Sequence, residues 1–219
     1  MKLYDSIGPN PHVVRIVAAE KGLTLDTVKV DLMTGENRKP EYGAKNASGT
    51  TPALELADGR VICEITVIAD YLEELHPTPP VIGTTPEERA ETRMWVRRID
   101  LGIIEPMTNG FRANEGRPLF ERRMKLASVE AGAELKAIAR DKLLWLDGQL
   151  SGRTWVCGDR FTLADILLFA FLKFGATVGQ PMPAEATWLP QWFARCGDRP
   201  STAALPAVLR QSAGGSQRA

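Results

Sequence analysis

Residues 6–15 read SIGPNPHVVR, which sets a hydroxyl and a Gly-Pro-Asn-Pro turn before an apolar helical run. Asn10 is a side-chain type that caps helices, and Pro11 suits a first helical position, where a missing N–H costs no intrahelical bond. A helix start offers unpaired N–H groups and the positive end of the backbone dipole, and both favour an anion. The chemistry this permits is stabilisation of an anion, a thiolate being one kind that a substrate can bring. Helix N-termini and nearby cations bring thiol pKa values down to about 3.5–7.5. No cysteine lies in this stretch, so the nucleophile would arrive with the substrate. Asn10 is the first candidate to hold it, directly or through water. The plain alternative is that Asn10 only caps the helix. Ser6 is the second candidate as a hydroxyl donor, and Tyr4 the third. His12 would add positive charge, or serve as a solvated or capping side chain.

Composition narrows the rest. The 219 residues carry 27 basic and 27 acidic side chains, a balance with no electrostatic footprint for nucleic acid. The apolar run Ile166–Leu172 is far too short to span a bilayer. No basic stretch followed by an apolar segment opens the chain, so no secretory signal is expected. Cys63, Cys157 and Cys196 form no C-x-x-C pair and leave an odd thiol under any pairing, which fits a reducing, cytoplasmic setting. Each reads as a small buried hydrophobe rather than a catalytic thiol. His12 and His76 show no metal-ligand spacing, so no metal is expected.

The elements that must position these groups follow from patterning. Lys2–Tyr4 reads as a strand. Val13, Val14, Ile16 and Val17 give a helical apolar face that Gly22 closes. Thr27–Leu32 alternates as a strand does, and 35–47 reads as a short helix plus loop. Pro52–Leu56 and Arg60–Cys63 form a hairpin around Asp58-Gly59, and a helix covers 64–75. The order β-α-β-α-β-β-α is a compact α/β unit. HPTPPVIGTTP (His76–Pro86) is proline-rich and reads as a linker, after which nothing looks like a strand. Helices are predicted over 87–111, 118–150, 162–178 and 190–197, with STAALPAVLR beyond and a frayed tail at 211–219. Thr162 and Asp165 have capping-box spacing, with Phe161 and Ile166 as a hydrophobic staple. The expected domains are therefore 1–76, a linker 77–86, an all-α domain 87–210 and the tail.

Four stretches taken together, MKLYDSIGPNPHVVRIVAAEKGL, GENRKPEYGAKNASGTTPALEL, VICEITVIADYLEE and GDRFTLADI, resemble the cytosolic glutathione transferases over essentially the whole chain. The GPNP start is most similar to a bacterial and fungal branch, one that includes a yeast glutathione transferase, in which no Tyr, Ser or Cys side chain activates the thiol. The resemblance implies a thioredoxin-like α/β N-terminal domain, an all-α C-terminal domain, a homodimer and a detoxifying role. It implies glutathione as co-substrate, with the Thr51-Pro52 peptide cis and the Thr51 backbone pairing with the cysteinyl moiety in β fashion. On residues alone, Pro52 is also a proline that opens a strand. The resemblance gives Glu64 the γ-glutamyl ammonium and the N–H groups after it the carboxylate. Ile65 departs from the family's Ser or Thr and lacks the hydroxyl. Glu64 otherwise reads as a first-turn acid complementing the helix dipole. Arg38 or Lys39 would bind the glycyl carboxylate, against the alternative of a solvated basic face. By analogy the electrophile pocket lies between the domains, with Trp95, Ile103, Met107, Phe111 and Arg112 as candidates, an apolar mix.

The leading expectation is a glutathione transferase acting on an apolar electrophile. The same thiolate would serve a glutathione-dependent isomerase, dehalogenase or ether-cleaving enzyme. A non-catalytic binding module is the reading from another class, motivated by Ile65 and the absent catalytic Tyr, Ser or Cys. A disulfide oxidoreductase is disfavoured because position 10 offers Asn rather than Cys.

Overall fold

The computed structural model describes residues 1–203, which group into two units. Met1–Pro79 together with Pro200–Ala203 forms one, and Pro80–Arg199 the other. Pro200–Ala203, which includes the first three residues of STAALPAVLR, thus lies with the N-terminal unit. Its remainder and the tail at 211–219 fall outside the described residues.

The N-terminal unit runs β1 (Lys2–Asp5), α1 (Pro9–Glu20), β2 (Asp26–Lys29), a 3-10 turn (Glu36–Arg38), α2 (Pro40–Gly43), β3 (Ala53–Glu55), β4 (Val61–Cys63) and α3 (Ile65–Leu75). The sheet order is β2-β1-β3-β4, with β2 parallel to β1 and β3 antiparallel to both neighbours. Side chains alternate across it. Tyr4 lies opposite Ala53 and shares a core with Val30 and Tyr42. Leu3 lies opposite Leu54 on the other face, where α1 and α3 pack together and bury Val13, Val14, Val17, Ile68 and Leu72.

β2 is shorter than the alternating pattern of 27–32 suggested. Its four residues are all exposed, and burial resumes only at Val30. It is an edge strand, where one side of the ladder faces solvent and packing does not enforce alternation. The Asp58-Gly59 hairpin closes through a three-residue loop. Leu56 pairs with Arg60 at 2.8 Å and Gly59 adopts φ +85°, a conformation that favours glycine. At the end of α1, Gly22 (φ +63°) allows Leu23 N–H to reach Ala18 O and its own N–H to reach Ala19 O, a Schellman closure. Next to it Lys21 is buried, and its Nζ donates to Glu73 Oε2 (2.5 Å), His76 O (2.7 Å) and Pro79 O (3.1 Å).

The second unit contains α4 (Pro86–Ile99), a π-helical turn (Asp100–Ile104), α5 (Glu105–Ala113), α6 (Arg117–Phe120), α7 (Val129–Leu150), α8 (Leu163–Thr177) and α9 (Trp188–Gly197); α10 is Pro200–Ala203 of the first unit. Three details depart from the sequence pattern. The helix predicted over 87–111 is interrupted because Pro106 has no N–H to donate one turn back; Glu105 N–H bonds Asp100 O instead. The helix predicted over 118–150 is two helices. Ser128 restarts the second, its Oγ accepting from Ala131 N–H at 3.1 Å. α9 begins at 188 rather than 190, and its first N–H groups are held by a residue 40 positions earlier: Asp147 accepts from Thr187, Trp188 and Leu189.

α8 is buried from Leu163 to Leu172, as a helix apolar on all sides must be. Its start carries the expected capping box of Thr162 and Asp165. α5 and α7 approach closely at Gly110 and Gly132. A methyl added at Gly132 would lie 2.0 Å from Asn114 Oδ1 and 2.7 Å from Ala113 Cβ. Gly132→Ala is therefore expected to lower stability by about 2 kcal/mol, overpacking outweighing the better helix propensity of alanine. Urea unfolding measures this, and an unchanged midpoint would mean the two helices yield freely.

Candidate functional site

The strand register gathers the candidates at one end of the sheet. Tyr4 faces Ala53 and Ala53 faces Cys63, so the chain leaving β1, the chain entering β3 and the chain leaving β4 run side by side. They carry Ser6, Thr51-Pro52 and Glu64. Because β1 and β4 each end there and lead into a helix, the N-termini of α1 and α3 lie at the same end.

α1 starts two residues earlier than the cap reading of Asn10 requires. Gly8 (φ +115°) is the N-cap, Pro9 the first helical residue, and Asn10 and Pro11 complete the first turn. Asn10 is therefore not a cap. Its half-buried side chain makes no hydrogen bond among the described residues. Of the four N–H positions that a helix start leaves unpaired, prolines occupy two; Gly8 and Asn10 keep the donors. The Asn10 amide and peptide N–H are thus concentrated at one point.

α3 has the richer start. Glu64 is its N-cap, and Ile65, Thr66 and Val67 all carry free N–H groups in the first turn. Ile68 is the first to bond back, to Glu64 O at 2.9 Å. The missing hydroxyl of Ile65 leaves these backbone donors intact. Thr66, not singled out from sequence, puts a hydroxyl one position further on. Glu64 sits at φ 68°, ψ 123°, the positive-φ residue other than glycine among those described, and its side chain is exposed. Such a conformation costs about 1–3 kcal/mol and concentrates at functional sites.

The Thr51-Pro52 peptide is cis, as is Thr78-Pro79. Neither the N–H nor the C=O of Thr51 has a partner among the described residues. A short strand edge is thus open to an extended peptide, the geometry of β-augmentation. The loop before it is fixed from below: Asn37 Nδ2 donates to Gly49 O (2.6 Å), while Tyr42 Oη (2.7 Å) and Asn46 Nδ2 (2.8 Å) donate to Thr50 O. Burial pushes the Tyr42 phenol up to about 12, so it remains a donor at ordinary pH. Sequence reasoning passed over Asn37, Tyr42 and Asn46. Their signal is three-dimensional, since each acts on a loop folded back on it.

Arg38 and Lys39 are exposed; the Arg38 side chain lies along Gly49, its Nη1 3.2 Å from where a Cβ would stand. Ser6 is 3% exposed, and its Oγ lies 2.5 Å from Thr51 Oγ1. Tyr4 points elsewhere: its hydroxyl donates to Glu55 Oε2 at 2.6 Å, which Lys45 also binds at 2.9 Å. His12 is half-buried on α1.

In the second unit, Trp95, Ile103 and Met107 are core side chains, Met107 being 2% exposed. Phe111 and Arg112 keep exposed surface. Phe111 meets Phe120 and Phe174 edge-on, at 6.0 and 5.2 Å, and Arg112 lies over Phe120 while donating to Asn109 Oδ1. Desolvation lowers the pKa of the Arg112 guanidinium. None of Cys63, Cys157 and Cys196 is in a disulfide, and burial raises the pKa of the first two. Among the described residues no three His, Cys, Asp or Glu side chains are grouped to hold a metal ion, and no helix is long and apolar enough to cross a membrane.

Comparison with known proteins identifies the family. Residues 7–75 match the glutathione S-transferase N-terminal domain and residues 123–200 the C-terminal domain. Glutathione S-transferase 2 of Saccharomyces cerevisiae is 36% identical over 216 residues, covering 97% of this chain and 92% of the relative. The crystal structure of a glutathione S-transferase domain-containing protein from Marinobacter aquaeolei superposes with a TM-score of 0.86 at 36% identity, over 92% of this chain and 100% of that one. A glutathione transferase homologue from Sulfitobacter, solved with bound glutathione, superposes at 0.78 with 25% identity, over 93% and 95%. The α/β and all-α units are those of the expected fold. With both domains matched in order and the yeast relative aligned along nearly the whole sequence, the chain belongs to the glutathione S-transferase family and is a glutathione transferase.

Proposed function

We propose that the end of the β1-β3-β4 sheet binds glutathione and ionises its thiol, and that the thiolate then attacks an apolar electrophile. The observation that carries this reading is the open Thr51 backbone flanked by two helix N-termini. Thr51, ahead of Pro52, pairs with the cysteinyl residue of the tripeptide. Glu64 takes the γ-glutamyl ammonium, and the N–H groups of Ile65, Thr66 and Val67 take its carboxylate. Arg38 or Lys39 meets the glycyl carboxylate. The thiol then lies toward Gly8 and Asn10, whose N–H groups and amide donate to the sulfur. The thiol proton leaves to water. The sulfur lone pair forms the C–S bond, and the leaving group departs with its bonding pair; in an addition, the carbanion takes a proton from water. Phe111 and Arg112 are the lining residues proposed for the electrophile.

A homodimer fits the exposed Val67 on α3 and the exposed Met94 and Leu101 of the helical unit, each an apolar side chain that a second copy would cover. The reading includes a cytoplasmic, detoxifying role; three cysteines outside disulfides fit a reducing compartment, and the balanced charge offers no footprint for nucleic acid.

Because Asn10 caps nothing, Asn10→Ala is expected to leave thermal stability within about 0.5 kcal/mol of wild type. It should raise the pKa of the bound thiol by about one unit, the size of one charge-assisted hydrogen bond. Thiolate absorbance against pH, with a parallel melting curve, reads both. A stability loss with an unmoved thiol pKa would return Asn10 to a structural role.

A further inference from the structure

Ser6, the second candidate donor to the thiol, spends its hydroxyl on partners within the protein. Ser6 Oγ has two protein partners, Ile7 O at 3.1 Å, to which it can donate, and Thr51 Oγ1 at 2.5 Å, where either hydroxyl can be the donor. Both side chains are buried, and the Ser6 hydroxyl has no second proton for a sulfur. Behind Ser6 stands a second clamp. Arg15, in the second turn of α1, donates through Nη1 to the carboxylate of Asp5 and to Ser6 O at 3.4 Å. The side chains of Arg15 and Asp5 are only 18% and 19% exposed. The chain from Asp5 to Ile7 is thereby held on both sides, by an ion pair to α1 and by a hydroxyl pair to the strand edge.

We propose that Arg15, Asp5 and Ser6 are positioning residues that act through Thr51: they lock the side chain of Thr51 inward so that its backbone N–H and C=O stay directed to the incoming peptide. This inference rests on the glutathione-binding reading above. Its physical basis is that a backbone edge with no ladder partner of its own keeps its orientation only if something else fixes it, and here the only side-chain bond of Thr51 among the described residues is the one to Ser6. Since none of the three touches sulfur, they set affinity for the tripeptide and leave the thiol pKa to the helix N-terminus.

The test uses full-length protein with two probes, glutathione and S-methylglutathione, which has no ionisable thiol. Ser6→Ala and Thr51→Val are each expected to weaken both probes about five- to twentyfold, and the double variant to weaken them no more than either single one. Arg15→Gln should weaken both about fivefold, while Arg15→Lys, which keeps a cation facing Asp5, should weaken them by less. The pKa of the bound thiol should be unchanged in Ser6→Ala. A raised thiol pKa in Ser6→Ala with unaltered S-methylglutathione affinity would overturn the proposal and make Ser6 a sulfur donor. Additive losses in the double variant would also overturn it. If wild type binds neither probe, the binding reading itself fails; if wild type binds and the variants bind equally well, only this inference does. Near-UV circular dichroism and Arg15→Lys separate loss of positioning from loss of fold.

Discussion

Glu64→Ala is expected to weaken glutathione binding about ten- to a hundredfold while the protein remains folded. The lost interaction is a charge-assisted hydrogen bond from an ammonium to a carboxylate, which contributes about 1.5–3 kcal/mol. Solvent reaches this exposed side chain, which places the effect below that of a buried pair. The backbone supplies a second, independent signature. Glu64 holds φ 68°, a conformation glycine adopts without the clash a Cβ brings. Glu64→Gly is therefore expected to lose affinity as Glu64→Ala does, yet to be about 1 kcal/mol more stable than the alanine variant. Isothermal titration and urea unfolding on the two variants measure both numbers. Alanine and glycine variants of equal stability would show that the backbone there is not strained. Unchanged affinity would remove Glu64 from the site.

The second large effect concerns the fold that carries the site. Asp165 is fully buried and accepts from Val156 N–H (2.9 Å), Thr162 N–H (2.9 Å) and Trp192 Nε1 (2.8 Å). Asp165→Ala leaves three buried donors unpaired, each costing about 1–3 kcal/mol, and removes the desolvation cost of a carboxylate. A net loss of about 3–5 kcal/mol is expected, a large fraction of a typical domain's stability. Burial also pushes this carboxyl up to about 6, against the hydrogen bonds that pull it down. The folded chain then binds the proton below about 6, the unfolded chain only below about 4. The contribution of this group to stability is full below about 4 and is lost as pH rises through about 6. Asp165→Asn should abolish that part of the pH dependence between 4 and 6. A wild-type-minus-variant difference in unfolding free energy that is flat over this range would contradict the assignment.

Asp165 also shows what was legible in the sequence. Its capping box with Thr162 is local, spanning four residues, and was read directly from FTLAD. The order of strands and helices in the N-terminal unit was legible for the same reason, since the Asp58-Gly59 turn and the Gly22 closure act on their immediate neighbours. The start of α9 was not, because its cap is Asp147, supplied from α7 across 40 residues. Neither was the break in the second long helical pattern, where Ser128 restarts a helix within a stretch of continuous helical periodicity. At the candidate site, motif and resemblance single out Thr51, Glu64 and Asn10 for the proposal. Their surroundings were not. Gly8 rather than Asn10 caps α1, since a glycine at φ +115° makes the turn that Pro9 then continues. The supports of the Thr51 loop, Asn37, Tyr42 and Asn46, act only once the chain has folded back on itself.

The central claim is that the nucleophile arrives with the substrate and is ionised at the end of the sheet. It is tested most directly by titrating the thiolate absorbance of glutathione bound to the wild-type protein. The expected result is a pKa at least one unit below the free-thiol value of about 8.5. Saturable binding with the thiol still titrating near 8.5 would contradict it.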